Sequence, residues 1–140
     1  MRKFLTFFEV MLCVVALLCL FVSFLLPHVF ELRLEKNEES AQVTLKKIIS
    51  PALENYAKDN NGTYPISEDA LIQNNPPYLR RSYSGKIIQG YQYNFDLSNV
   101  GYSVSAEPYK CGPKGTGRKS YIVTTGAVFN ETDCNQTKNK

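Results

Sequence analysis

Few residues in this chain combine a type and a spacing that could do chemistry. Glu9 is the first, a carboxylate that interrupts an apolar run of 23 positions from Phe4 to Leu26. A charge at the centre of a bilayer helix costs about 2.5–3.5 kcal/mol on insertion scales and normally implies a partner. Two readings of Glu9 stay open: it reaches water at the near interface, or it meets a cation from another chain. Gly112 to Ser120 comes within one residue of the phosphate-cradling pattern G-x-x-x-x-G-K-[ST], with Arg118 inserted before Lys119. It runs into Tyr121-Ile122-Val123, a strand-like segment, so no helix N-terminus would face a phosphate. Lys110, Lys114, Arg118 and Lys119 cluster beside Tyr109 and Tyr121. Basic residues among aromatics can bind single-stranded nucleic acid, but a solvated loop is the simpler reading, and nucleic acid is not the expected partner. Cys13 and Cys19 are six apart and point to different helix faces, so they do not make a metal pair. His28 is the only histidine. No cluster with ligand or catalytic spacing appears, and the expectation is a protein that is not an enzyme and carries no metal or cofactor.

The elements that must hold these residues belong to two different solvents. Residues 1–30 contain 23 apolar residues, including six of the eight Phe, while all nine Tyr and all eight Gly follow them. Val10 to Leu26 is a run of 17 residues whose only polar member is Ser23. A helix needs roughly 20 such residues to cross a bilayer core. Arg2 and Lys3 before the run favour a cytoplasmic N-terminus. A cleaved secretory signal fits less well, because the apolar stretch is long and no A-x-A-like site follows. The expected layout is a short leader at 1–9, a transmembrane helix at 10–30, an amphipathic helix at 31–62, and a loop-plus-sheet head at 63–140.

In the third segment Ala41, Leu45, Ile48, Ile49, Ala52, Leu53 and Tyr56 recur at three- and four-residue steps, the stripe of a helix resting on a core. Pro51 either kinks this helix or opens a new one capped by Ser50. Asn60-Asn61-Gly62 should stop it. Ser67 should cap a short helix from Glu68 to Gln73. Alternation then predicts strands: Tyr91, Tyr93 and Phe95 on one face, Tyr102, Val104 and Ala106 on another strand's face, with Asp96 to Asn99 turning between them. Ser120 to Thr124 and Ala127 to Phe129 should follow. The fold class expected is α+β, a long N-terminal helix packed on a small antiparallel sheet.

A resemblance sharpens this outline. The basic leader followed by Leu5-Thr6-Phe7-Phe8-Glu9-Val10-Met11-Leu12, with Pro27 near the end of the apolar helix, resembles the N-terminus of type IV pilins and type II secretion pseudopilins. Ala52-Leu53-Glu54-Asn55-Tyr56 through Asp59 to Thr63-Tyr64-Pro65 is similar to a segment that ends the helix in major pseudopilins. The strand series Gly101 to Ala106, Gly117 to Val123 and Gly126 to Val128 looks like their sheet region. The likeness covers most of the chain and is weakest at 66–90. It implies that a prepilin peptidase cuts between Phe4 and Leu5, although Phe4 stands where the family has Gly. It implies that Glu9 pairs with the terminal amine of a neighbouring subunit, that Pro27 bends the helix, and that the partners are other pilin-like subunits, assembly machinery and membrane lipid. The expected site is then the inner (cell) membrane, with the head outside the cytoplasm. Cys111 and Cys134, with 22 residues between them, would close the last strands into a loop if the head faces an oxidising space; the resemblance implies that they do. It also implies calcium in a C-terminal loop, where Glu131 and Asp133 are the only acids. The alternative reading is a single-pass anchored binding module that keeps the fold and forms no filament.

Overall fold

The structure, a computed structural model, describes residues 2–134, with side chains described from Glu9 onward. The chain divides into two compact units, Met1–Leu32 and Arg33–Lys140. The described residues of the first are all helical, the opening part of α1 (Arg2–Val43). Every side chain from Glu9 to Leu32 is exposed, which is the opposite of what water permits for Phe, Leu and Val in this density. The helix is long and apolar enough to cross a membrane. The 21 residues from Val10 to Phe30 would span about 32 Å at 1.5 Å each, against a hydrocarbon core of about 30 Å. Ser23 keeps its hydroxyl out of lipid by donating to the Cys19 carbonyl at 2.7 Å. Pro27 sits inside the helix without ending it.

The second unit starts with the remainder of α1, passes through a π-helical turn (Thr44–Ile49) and continues as α2 (Ser50–Asp59). Pro51 occupies the first turn of α2, where its missing N–H costs least. This corrects one sequence expectation. Ser50 does not cap the new helix; its hydroxyl instead meets the Tyr102 hydroxyl at 3.1 Å in the core. The helix ends near the expected place, with Gly62 at φ +82° donating to the Ala57 carbonyl at 2.7 Å, a backbone conformation that glycine adopts without strain.

A short α3 (Asp69–Ile72) follows, without the side-chain cap that Ser67 was expected to supply. The sheet is an antiparallel meander in sequence order, β1 (Ile87–Ile88), β2 (Tyr91–Ser98), β3 (Gly101–Pro108), β4 (Lys119–Thr124) and β5 (Val128–Asp133). Register places Tyr93 opposite Ala106, Phe95 opposite Val104 and Val104 opposite Val123. With period two, this lines Tyr91, Tyr93, Tyr102, Val104, Ala106, Tyr121 and Val123 along one buried face. Ala41, Leu45, Ile49, Ala52 and Leu53 cover that face from the helical side. The α+β class is as the sequence implied. The β2–β3 turn lies at Asn99-Val100 rather than Asp96 to Asn99, because Asp96 and Ser98 are the solvent side of a strand. The last strand also runs four residues beyond Phe129.

Candidate functional site

Three glutamates of the second unit act as hydrogen-bond hubs, and each ties a helix or loop to a distant part of the head. Glu38, from the last turns of α1, is nearly buried and receives the Arg118 backbone N–H at 2.8 Å, its Nε at 3.1 Å and its Nη2 at 3.2 Å. Glu54, on α2, accepts from the Tyr102 hydroxyl at 2.9 Å, the Tyr64 hydroxyl at 3.0 Å and the Gly126 N–H at 2.9 Å. Burial, with the Glu54 carboxylate adding to it, pushes the Tyr102 phenol up to about 12, so it remains a donor at neutral pH. Glu68 accepts the Tyr83 N–H at 2.5 Å, the Ser82 hydroxyl at 2.8 Å and the Ser84 N–H at 3.2 Å. The sequence reading singled out none of these hubs, since their partners lie up to 80 positions away.

Glu38 gives the head an acid sensitivity. Burial alone would raise its carboxyl, but the hydrogen bonds and charge of Arg118 outweigh that and hold it below its ordinary value of 4.5. A lowered folded value means that the charged form favours the folded state. The contribution is complete above the unfolded value and is lost as pH falls through the folded one. Hydrogen bonds to a charged group contribute about 1.5–3 kcal/mol, and the partly exposed Arg118 side chain places this one at the low end. Urea midpoints of the full chain in detergent should therefore fall as acid is added below about pH 4.5. Glu38→Gln should lower the neutral midpoint and flatten the acid decline. An acid decline as steep in the variant as in the natural chain would show that Glu38 is not its source.

The C-terminal loop is closed by the Cys111–Cys134 disulfide, as the resemblance implied. Inside it the backbone folds on itself, with Gly112 N–H to the Gly117 carbonyl at 3.0 Å and Thr116 N–H to the Lys110 carbonyl at 2.7 Å. Asn37 of α1 reaches the Thr116 carbonyl at 2.9 Å. Gly117 packs against the Tyr91 ring so closely that a Cβ there would collide with it. The loop leads into β4, a strand, so the Gly-rich segment lacks the helix a phosphate site would use. Of the four expected basic residues, Arg118 carries its charge to Glu38 and Lys119 carries its own to Glu131 at 2.8 Å. That second pair also places an ammonium on one of the two acids considered for calcium. Among the described residues no group of three or more His, Cys, Asp or Glu is placed to hold a metal ion. Glu9 is exposed on the first unit. The side chains of Phe4 and Leu5 lie outside the described residues, as does the segment after Cys134.

A groove of about 660 Å³ opens between the helical layer and the segment before the sheet. Lys47, Ile48, Pro51 and Asn55 form one wall, and Pro77, Tyr78, Arg80, Arg81 and Tyr83 form the other. Ile48, expected in the core stripe, is 40% exposed and faces outward here. The second wall is tied down. Tyr78 donates its hydroxyl to Asp59 at 2.7 Å, and the Leu71 carbonyl receives the N–H groups of Tyr78 at 2.8 Å and Leu79 at 3.1 Å.

These features define a class: one apolar helix long enough to cross a membrane, and a disulfide-closed α+β head with a helix-backed antiparallel sheet. No known protein family matches the chain, and no curated protein or solved structure is significantly similar to it.

Proposed function

We propose that the chain is a structural subunit of a pilus or secretion pseudopilus, whose work is packing rather than catalysis. The observation that carries this reading is the apolar helix whose side chains are all exposed from Glu9 to Phe30, with Glu9, near its start, as the single carboxylate of that stretch. Such a helix needs a non-aqueous surround, which lipid and neighbouring copies of the same helix both supply. Glu9 then finds its counter-charge on the terminal amine of an adjacent subunit. Leu5 is the mature N-terminus, freed from Phe4 by a prepilin peptidase, and Pro27 bends the helix. The disulfide supports a head held in an oxidising space outside the cytoplasm, and Arg2 and Lys3 support the matching orientation in the inner membrane.

Mass spectrometry of the mature chain tests this directly. The expected product begins at Leu5 with a methylated amine and is found in sheared surface filaments. Glu9→Ala should leave the chain in the membrane while removing at least 90% of it from the filament fraction, a tenfold loss corresponding to about 1.4 kcal/mol of assembly contact. An intact Met1 start together with absence from filaments would overturn the reading and leave the anchored binding module in its place.

A further inference from the structure

Resting on that subunit reading, we propose that the groove beside α2 is a docking site for a second copy of this chain, which inserts the acidic helix stretch around its Glu35 and Glu39. Three cations line the groove, Lys47, Arg80 and Arg81, and no carboxylate does. Among the described residues none of the three side chains makes an ion pair or a hydrogen bond. Arg81 lies over the Tyr83 ring at 4.9 Å, which holds its guanidinium at the groove edge without neutralising it. The same lining holds apolar side chains, with Ile48 40% exposed. Charge set among exposed apolar side chains is the composition of a protein-binding surface rather than of a solvated face.

The complementary surface is on the same chain. Glu35 and Glu39 are four residues apart, so they share one helix face, and both are exposed. Neither forms an ion pair among the described residues. Two lysines share the shallow depression that these glutamates line: Lys46 is committed to the Phe129 ring at 3.7 Å, and Lys47, which also borders the groove, forms an ion pair with neither glutamate. Glu38, between them, is spent on Arg118. The chain therefore carries an unpaired acidic face and an unpaired basic groove that do not satisfy each other internally. The acidic pair precedes the groove along the chain. A contact between the two is head-to-tail: it uses two different surfaces and leaves one of each free, which propagates an open array instead of closing a dimer. The tethered 77–83 wall means that docking does not first have to order a loop. Opposed charge sets the register of the contact, and the apolar side chains exclude water from it.

The test uses full-length chain in proteoliposomes, isotopically labelled and unlabelled protein mixed, coupled with a zero-length carbodiimide that joins carboxylate to amine. Mixed-isotope peptides joining Lys47 to Glu35 or Glu39 are expected. The variant R80E/R81E should lower their yield about tenfold, while E35K/E39K, on an exposed helix face where folding is not at stake, removes the coupled carboxylates and so abolishes these particular links by chemistry alone. Combining all four changes should restore mixed links, now between positions 35 or 39 and 80 or 81. Mixed links absent from the natural chain, mapping elsewhere, insensitive to R80E/R81E, or not restored in the combined variant would overturn the docking. Links to an unrelated acidic protein in place of self-links would overturn it as well. Filament yield is scored separately. Filaments that persist in both double variants overturn the docking and leave the subunit reading intact. Mixed links from a chain that never enters filaments support the docking and overturn the subunit reading.

Discussion

Tyr91→Ala should destabilise the head by about 3–5 kcal/mol, the range for truncating a large buried aromatic. Domains of this size are stable by only about 5–15 kcal/mol, so the variant sits near the edge of folding. Tyr91 is fully buried, one of the largest side chains in the core. On β2 it pairs with Pro108 of β3 and Ile88 of β1, and its ring lies 5.9 Å from that of Tyr121 on β4. Its hydroxyl donates to the Lys119 carbonyl at 2.8 Å, and Gly117 packs against the ring with no room for a Cβ. One side chain thus joins the sheet to the disulfide-closed loop, and burial raises its phenol so that it stays protonated as a donor. Tyr91→Phe separates the two contributions. It keeps the ring and should cost about 1 kcal/mol, the net worth of a hydrogen bond. Urea midpoints of the full chain in detergent measure both. An alanine variant within 1 kcal/mol of the phenylalanine variant would show that the ring does not carry the packing assigned to it.

The readable parts of this molecule are those where a local period reports burial. Tyr91 and Tyr93, Tyr102 and Val104 and Ala106, and Tyr121 and Val123 alternate in the sequence as they alternate between core and solvent. Leu45, Ile49 and Leu53 keep the helical stripe. Ile48 breaks it for a physical reason. The π-helical turn over Thr44–Ile49 takes more than 3.6 residues per turn, so it shifts the phase of everything it carries and rotates Ile48 out to the groove. Nothing in the local pattern announces that turn except Pro51, which the sequence could read equally as a kink or a start. The strand end at Ser98 was hidden because polar residues on a solvent-facing strand edge have the composition of a turn.

The glutamate hubs were beyond reach for a different reason. Glu38 meets Arg118 and Glu54 meets Gly126 only after the sheet has brought the chain back to the helix. A glutamate on a helix reads as surface until its partner is known. Arg80 and Arg81 likewise sit in a segment without period, after Pro76-Pro77, and became a groove wall only once Tyr78 was seen tied to Asp59. The adjacent pair of arginines was the available signal, and without a facing element it pointed nowhere.

Removing the disulfide should cost the head about 3 kcal/mol, whether by reductant or by the double change Cys111→Ser with Cys134→Ser. The linked residues are 23 apart in sequence, and closing a loop of that size removes about this much freedom from the unfolded chain in the loop-entropy model. The folded state feels the loss locally. Cys134 is buried just past the end of β5, an edge strand, most of whose residues are exposed and whose strand partner is β4 alone. Without the tether β5 frays from its Asp133 end, and the freed edge of β4 becomes available to other chains. Limited proteolysis should then nick β5 first, at a rate that rises well before global unfolding. Cys13→Ser with Cys19→Ser is the control, since both thiols are exposed and unlinked on the apolar helix; it should leave the midpoint in place. The loop held by the disulfide is also the loop that Tyr91 grips through Gly117 and Lys119. Two constraints on one segment are not independent. Once the disulfide is broken the loop has partly moved away from the ring, so Tyr91→Ala should cost less in reductant than without it, by at least about 0.5 kcal/mol. Equal costs under both conditions would mean that the ring and the disulfide hold separate parts of the head, and that the loop is not the element joining them.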